Sequence, residues 1–375
     1  MITIRATSLA RVIACNGYIK LGGDNLPNLN PSTEDAQEGI AAHYVASATL
    51  SGQFTDPIEM VDRKTPNGVI VPPEMAEYVS EYIDGVLNRP YAAIPSRHVE
   101  TETDWQVTGL VRIVGRADHI AYDRIGDTLY IDDFKYGFRL HEPDANWALI
   151  SHAIGIIQRE GYTPKRIVFT IFQPRPYHIN GPVREWPITI EQLGLYQASL
   201  VQALTNLTDM LATGEHCRKC AALAICPAAR MAGLNSIEAT IAAYNDDVPD
   251  NVLAFEMFEL ERAADAIKHR LEALQELAQF RLNNGASLVI GNEAYALDHA
   301  YGRLAWNEGV EPSLLRALTG RTDLSVERPI TPTQAKKKGI PEAVIASLSE
   351  RPYRGTKLVR MNARKVGAKL FGKGN

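Results

Sequence analysis

The sequence predicts an α/β fold: a mixed β-sheet flanked by helices, followed by a C-terminal helical and mixed appendage. Three observations carry that prediction. β-branched and aromatic runs cluster in the middle of the first 230 residues, helical patterns flank them, and a long amphipathic repeat follows a polar break.

In chain order, residues 31–53 read as a helix, with Ser32 and Thr33 as cap candidates and Glu34 and Asp35 in its first turn. A second helix follows Pro72-Pro73 and runs to about Asn88. From Gln106 to Phe134 the texture is β. Val107, Leu110, Val111, Ile113 and Val114 form one run; Leu129, Tyr130, Ile131 and Phe134 form another. The turn-rich link Asp123-Arg124-Ile125-Gly126-Asp127 suits an antiparallel pair. A helix over 144–160, a strand from Arg166 to Phe172 and a helix over 189–213 complete the core. Polar residues such as Asn245-Asp246-Asp247 mark a linker. Beyond it Leu260, Ala264, Ile267, Leu271, Leu274 and Ala278 recur at helical spacing up to Asn283-Asn284-Gly285. The expected division is a core over 1–232, a linker over 233–250 and a C-terminal region over 251–375.

A chain of 375 residues can bury a sizeable core, and 45% hydrophobic with 22% charged residues is ordinary for a globular protein. A net charge of −5 does not advertise nucleic-acid binding. The tail beyond Glu350 nevertheless carries Arg351, Arg354, Lys357, Arg360, Arg364, Lys365, Lys369 and Lys373 with no acid, a pattern that suits either a phosphate-binding arm or a solvated terminus. No apolar run reaches the roughly 20 residues of a membrane helix, and Arg5, Arg11 and Asn16 interrupt the N-terminus where a signal peptide would be apolar. The expected location is cytoplasmic, with no membrane partner.

The chemistry-bearing segment is Ile131-Asp132-Asp133-Phe134-Lys135-Tyr136-Gly137. On a strand, Asp133 and Lys135 share one face and Asp132 and Phe134 the other. A carboxylate there can hold Mg²⁺ or Mn²⁺, and the ammonium beside it can offset charge at a phosphoryl group. Asp118, in Gly115-Arg116-Ala117-Asp118, ends the preceding strand where an antiparallel neighbour brings it towards Asp133. His43 lies one helical turn beyond Gly39, a glycine expected to permit close approach of another backbone. Taken singly, each is commonplace: a D-x-K is usually a surface ion pair, and a lone helix histidine is usually core.

The order G-x3-H, G-x2-D, D-x-K resembles the RecB-like branch of the PD-(D/E)XK nucleases, whose core is the restriction-endonuclease-like sheet. The resemblance implies that His43, Asp118, Asp133 and the backbone carbonyl of Phe134 bind Mg or Mn, and that Lys135 is catalytic. The implied activity is metal-dependent DNA hydrolysis, as an exonuclease in recombination or repair, with a helicase, recombinase or single-strand-binding protein as possible partner. Where the family carries Q-x3-Y on the following helix, this sequence has Ala148 and His152. That departure leaves open the alternative of a DNA-binding recombination accessory protein with the same fold. Gln173 and Arg175, at the exit of a strand, are candidate DNA contacts, although Pro174 alone accounts for a strand exit.

Cys217, Cys220 and Cys226 fall within ten residues, and Cys15 is the fourth cysteine. Four thiolates satisfy a [4Fe–4S] cluster or a tetrahedral zinc ion. One distant N-terminal cysteine plus C-x2-C-x5-C is similar to the iron staple of AddB-type nuclease domains, which implies the cluster, joining the two ends of the core. With these motifs the chain looks similar to a phage and prophage group of RecB-like nucleases.

Overall fold

The computed structural model describes residues 1–27, 34–241, 249–301, 305–307, 310–321, 331–350 and 353–362. Two compact units divide at Ala273/Leu274. The first holds a six-stranded mixed sheet: β1 (Ile2–Arg5), β2 (Ser96–Gln106), β3 (Val111–Asp123), β4 (Thr128–Phe134), β5 (Arg166–Phe172) and β6 (Val183–Thr189). Its helices are α1 (Leu9–Ala14), α2 (Gly17–Lys20), α3 (Glu34–Leu50), α4 (Pro73–Leu87), α5 (Trp147–Glu160), α6 (Ile190–Thr205) and α7 (Pro227–Ile241).

β3 organises the sheet. β2 runs antiparallel along one edge of it, from Gln106↔Arg112 to Ser96↔Tyr122. A strand has only two edges, so β1 and β4 divide the other. β1 pairs in parallel with Val111 to Val114, and β4 pairs antiparallel with His119 to Asp123. Between them Gly115-Arg116-Ala117-Asp118 has no strand on that side, and the sheet forks there. β4 continues beyond its ladder with β3 and pairs in parallel with β5 as far as Phe134↔Phe172; β6 closes the edge.

Alternation along the strands fills two cores. Leu129, Ile131, Phe169 and Ile171 pack with Leu149, Ile150 and Ile154 of α5 and Leu193 and Leu200 of α6. Phe134 and Phe172, of opposite parity, pack with Ala41, Ala42 and Val45 of α3 and Met75, Val79 and Tyr82 of α4. Tyr82 stacks on Phe134 with ring centroids 4.7 Å apart. Burial of each such ring is worth about 2–3 kcal/mol. The helices start where their side chains satisfy free N–H groups: Asn146 accepts from Ala148 and Leu149, and Thr189 forms a capping box with Gln192.

Among its described residues the second unit contains a three-stranded antiparallel sheet, in which Glu293–Tyr301 lies between Leu288–Ile290 and Tyr353–Asn362, and three short helices. Helix α8 (Asp250–Asn283) spans the boundary between the units. No helix among the described residues is long and apolar enough to cross a membrane.

Several expectations need adjustment. The α3 caps Ser32 and Thr33 lie outside the described residues, as do Asn245-Asp246-Asp247 of the expected linker. That linker, over 233–250, is helical as far as Ile241, and the compact units part at residue 273 rather than at 250. The helix expected to reach residue 213 stops at Thr205. Strands β1, β2 and β6 have no counterpart among the expected elements. Of the basic tail, Arg354, Lys357 and Arg360 fall in the strand Tyr353–Asn362; the others lie outside the described residues.

Gly39 has nothing within 4 Å of where its Cβ would be, so close approach does not require glycine there. Gly85 of α4 does need its missing side chain: a Cβ would lie 2.4 Å from Cε1 of the buried Phe172. Gly85→Ala is therefore expected to cost about 1–3 kcal/mol by overpacking. Gly39→Ala is expected to leave stability unchanged or raise it by about 0.5–1 kcal/mol. Urea midpoints of the two variants check this; equal shifts would contradict the packing.

Candidate active site at the sheet fork

Asp118 sits where β3 loses its neighbour, one register step beyond the His119↔Asp132 pair and so facing Asp133. Its Oδ2 accepts the Phe134 N–H at 2.8 Å, supplying β4 with an acceptor where the ladder to β3 ends. Its Oδ1 lies 3.4 Å from His43 Nδ1 on α3. His43 also reaches Glu100 Oε1 at 3.8 Å, and its ring leans on Phe134 with centroids 5.6 Å apart. Ligand atoms of His43, Glu100 and Asp118 all lie within 4.8 Å of one another. Lys135 Nζ sits 2.8 and 2.7 Å from the two oxygens of Asp133. The expected residues His43, Asp118, Asp133 and Lys135 therefore converge on one place.

Glu100 is the residue that sequence reasoning missed. The β2–β3 ladder is continuous except at Glu100 and Asp118, which face each other in its register. Glu100 there adopts φ 44°, a left-handed conformation unusual for a strand residue with a side chain. A signal existed. The turn at Thr108-Gly109 sets a hairpin register in which the partner of Asp118 is Glu100.

The electrostatics follow from crowding three carboxylates around one lysine and one imidazole. Burial disfavours the charge on Asp118, but His43, Lys135 and the Phe134 N–H outweigh it and hold the carboxyl at about 2. Asp133 is raised by burial and by Asp118 against the pull of Lys135. Glu100 is raised by burial and by Asp118. Burial opposes the charges of Lys135 and His43, yet Asp133 and Asp118 raise the lysine and Asp118 raises the imidazole. The side chains of His43, Glu100, Asp118, Asp133 and Lys135 keep 15–31% exposure, enough for solvent and a ligand to reach them. Two carboxylates and an imidazole at this spacing are a donor set for a hard divalent cation.

Asp132 turns to the opposite face, as alternation requires. It is buried with His119 Nδ1 at 2.9 Å and Arg89 Nη2 at 2.6 Å, and Arg89 also reaches Thr170. Its role is in the core.

The motif glycine Gly115 has a steric reason. A Cβ there would meet His152 Cε1 at 2.6 Å and Ala6 Cβ at 2.9 Å. His152, in the position of the resembled family's tyrosine, lies buried in the fork against β3, 2.7 Å from Thr103 Oγ1. Ala148 is partly buried against the α5 core. Gln173 is fully buried, donating to Gly137 O and Arg139 O and accepting from Arg184 and the His141 N–H. Its amide braces the loop after β4 and is not presented to a ligand. Arg175 bonds Glu38 at 2.9 Å and lies over the Tyr136 and Phe138 rings.

No disulfide joins Cys15, Cys217, Cys220 or Cys226. Cys15 Sγ accepts the Ala212 N–H at 3.4 Å, and Cys217 Sγ lies 3.9 Å from Ala212 O. Burial raises the Cys217 thiol, and Cys226 and Cys15 raise it further. Around Cys15 the N-terminal segment is tied to residues 210–219: Arg11 donates to His216 O and Lys219 O, and Gly17 N to Met210 O. No three sulfurs among the described residues lie within 4.8 Å of one another.

Fold and site together define an α/β protein whose mixed sheet forks around a cluster of three carboxylates, a histidine and a lysine. Residues 3–293 match the model of the family described as "Protein of unknown function (DUF2800)", and the chain belongs to that family. Among curated proteins none matches the chain.

His152 makes stability depend on pH. Burial lowers its folded-state value from 6.5 to about 4, so between these limits the unfolded chain takes up a proton that the folded one refuses. Its contribution is present above 6.5 and is lost as pH falls towards about 4, by up to ~3 kcal/mol. His152→Gln, which keeps a polar partner for Thr103, should flatten the decline of urea midpoint with falling pH over that interval. An unchanged slope would contradict the assignment.

Proposed function

We propose that this protein is a metal-dependent deoxyribonuclease of the PD-(D/E)XK type, hydrolysing phosphodiester bonds in DNA processing. One observation carries the reading: His43, Glu100 and Asp118 present ligand atoms within 4.8 Å of one another, beside the Asp133–Lys135 pair at a fork in the sheet. A surface ion pair requires no such convergence from α3, β2, β3 and β4.

Mg²⁺ or Mn²⁺ would be held by Asp118, Glu100, Asp133 and His43, with the Phe134 carbonyl as the backbone donor. When bound, the ion supplies Lewis acidity at the phosphoryl group and lowers the cost of ionising water. The remaining tasks fall to the chain. Phe134 N–H fixes one oxygen of Asp118 and leaves the other turned towards His43. The Phe134 ring orients the imidazole. Lys135, kept protonated by Asp133 and Asp118, offsets negative charge gathering on phosphorus-bound oxygens in the transition state. Asp133→Ala and Lys135→Ala should each abolish Mn²⁺-dependent degradation of DNA while keeping the wild-type circular dichroism and melting cooperativity. Glu100→Gln should raise the Mn²⁺ concentration needed for half-maximal rate. Full activity in either alanine variant would refute the site.

The cysteines are assigned to a [4Fe–4S] cluster. The ties between residues 11–17 and 210–219 support a staple joining the first and last segments of the core. The sequence pattern favours the cluster over zinc: one distant cysteine, Cys15, joins Cys217-x2-Cys220-x5-Cys226. Protein purified without oxygen should be brown and contain iron and sulfide. Cys15→Ser should lose both and become sensitive to proteolysis within 206–220. Colourless protein with stoichiometric zinc would overturn this assignment.

A further inference from the structure

Two loops leave the C-terminal ends of the parallel strands β4 and β5: residues 135–146, which begin at Lys135, and residues 173–182. They are zipped together along their length. Gln173 ties Gly137 and Arg139, and Arg175 lies 4.4 and 4.3 Å from the Tyr136 and Phe138 ring centroids. Further along, His178 Nε2 meets Glu142 Oε1 at 2.9 Å, and Arg184 donates to His141 O. These ties involve a fully buried glutamine and a nearly buried arginine. Yet the tips between them expose apolar side chains to solvent: Phe138 by 61%, Leu140 by 48%, Tyr177 by 88% and Ile179 by 84%.

A braced loop that holds aromatic rings in water marks a binding surface rather than a frayed one. Its place narrows the ligand, because Phe138 is three residues from Lys135 on the same loop. Its charge narrows it further. Glu38 and Glu142 are paired with Arg175, His178 and Arg184. Burial holds the His141 imidazole down at about 4, and Lys135, Arg139, Lys219 and Arg184 add to the shift, so four cations act on the loops beside the acid Asp144. Exposed aromatic faces beside cations suit a chain of bases and phosphates. Bases inside a duplex have their faces covered by their neighbours, and only unpaired ones can stack on protein rings.

We infer that Phe138 and Tyr177 form a stacking platform for unpaired nucleotides, which makes a single-stranded segment of DNA the substrate of the site. The inference rests on the nuclease reading. The strand crosses the two rings, base against ring, and its phosphates run on towards Lys135. Arg139 and Lys219 contribute charge, and Leu140 and Ile179 exclude water at the edges.

The test measures binding of the full chain, without Mg²⁺ or Mn²⁺ so that nothing is cut, to three fluorescent probes. These are an oligothymidylate, an abasic strand of the same length and a blunt duplex. The wild type should bind oligothymidylate on the order of tenfold or more tighter than either of the others. Phe138→Ala/Tyr177→Ala should lose that preference and bind oligothymidylate as weakly as the abasic strand. Phe138→Trp/Tyr177→Trp should retain it, showing that rings rather than loop integrity are read. Equal binding of all three probes by the wild type overturns the platform, as does undiminished preference in the alanine pair. In both cases Asp133-dependent cleavage with Mn²⁺ leaves the nuclease reading standing. Failure of the wild type to bind any DNA, together with absence of cleavage, overturns both.

Discussion

The constraint on which the structure turns is the hydrogen bond from Phe134 N–H to Asp118. β3 cannot be paired by β1 and β4 over one continuous edge, because each takes only part of it. Where β4 leaves β3, its own backbone loses a ladder partner, and a gap opens beside residues 115–118. Asp118 answers the first need by accepting from β4. Gly115 answers the second by admitting His152 and Ala6. The carboxylate that ends the ladder is thereby pinned with its second oxygen turned to α3, where His43 waits. The site is a consequence of how the sheet ends, and its residues cannot be moved without reopening the fork.

Packing on both faces holds this arrangement. Phe134 lies between Asp133 and Lys135 in sequence and points the other way, into the α3–α4 core, so anchoring the ring fixes the orientation of both its neighbours. Tyr82 and His43 both rest on that ring. Asp132, also on the core side, is locked by His119 and Arg89. The strand is thus registered from behind by buried groups while its front face stays accessible. Such a division suits a site that must keep its geometry as a charged ligand arrives. At the other end of the core, the ties from Arg11 and Gly17 to residues 210–219 join the N-terminal segment to the segment after α6, around the same sheet.

Much of this was legible in the sequence, and the reasons differ by element. β3, β4 and β5 carry apolar alternation, and their turn and order were readable. The polarity of Asp133 and Lys135 against Asp132 and Phe134 follows from strand geometry alone. β2 and β6 are edge strands with little burial, only Thr103 and Trp105 in β2 and Arg184 and Ile188 in β6. They lack the pattern that marks a strand, and Glu100 was lost with β2. Its backbone conformation is a property of the folded ladder that no local pattern announces. Gly39 was credited with a close approach that belongs to Gly85 and Gly115, because a glycine's neighbours are set by tertiary packing. Gln173 looked like a free polar group at a strand exit; only the fold reveals that both ends of its amide are occupied by the loop.

The central claim is that His43, Glu100, Asp118 and Asp133 together enclose one hard cation. Crystals soaked in Mn²⁺ and measured at the manganese absorption edge test it most directly. The account predicts an anomalous peak between the His43 imidazole and the Asp118 carboxylate, within bonding distance of both and of Glu100. A strong peak elsewhere on the chain, with none at the fork, would contradict it.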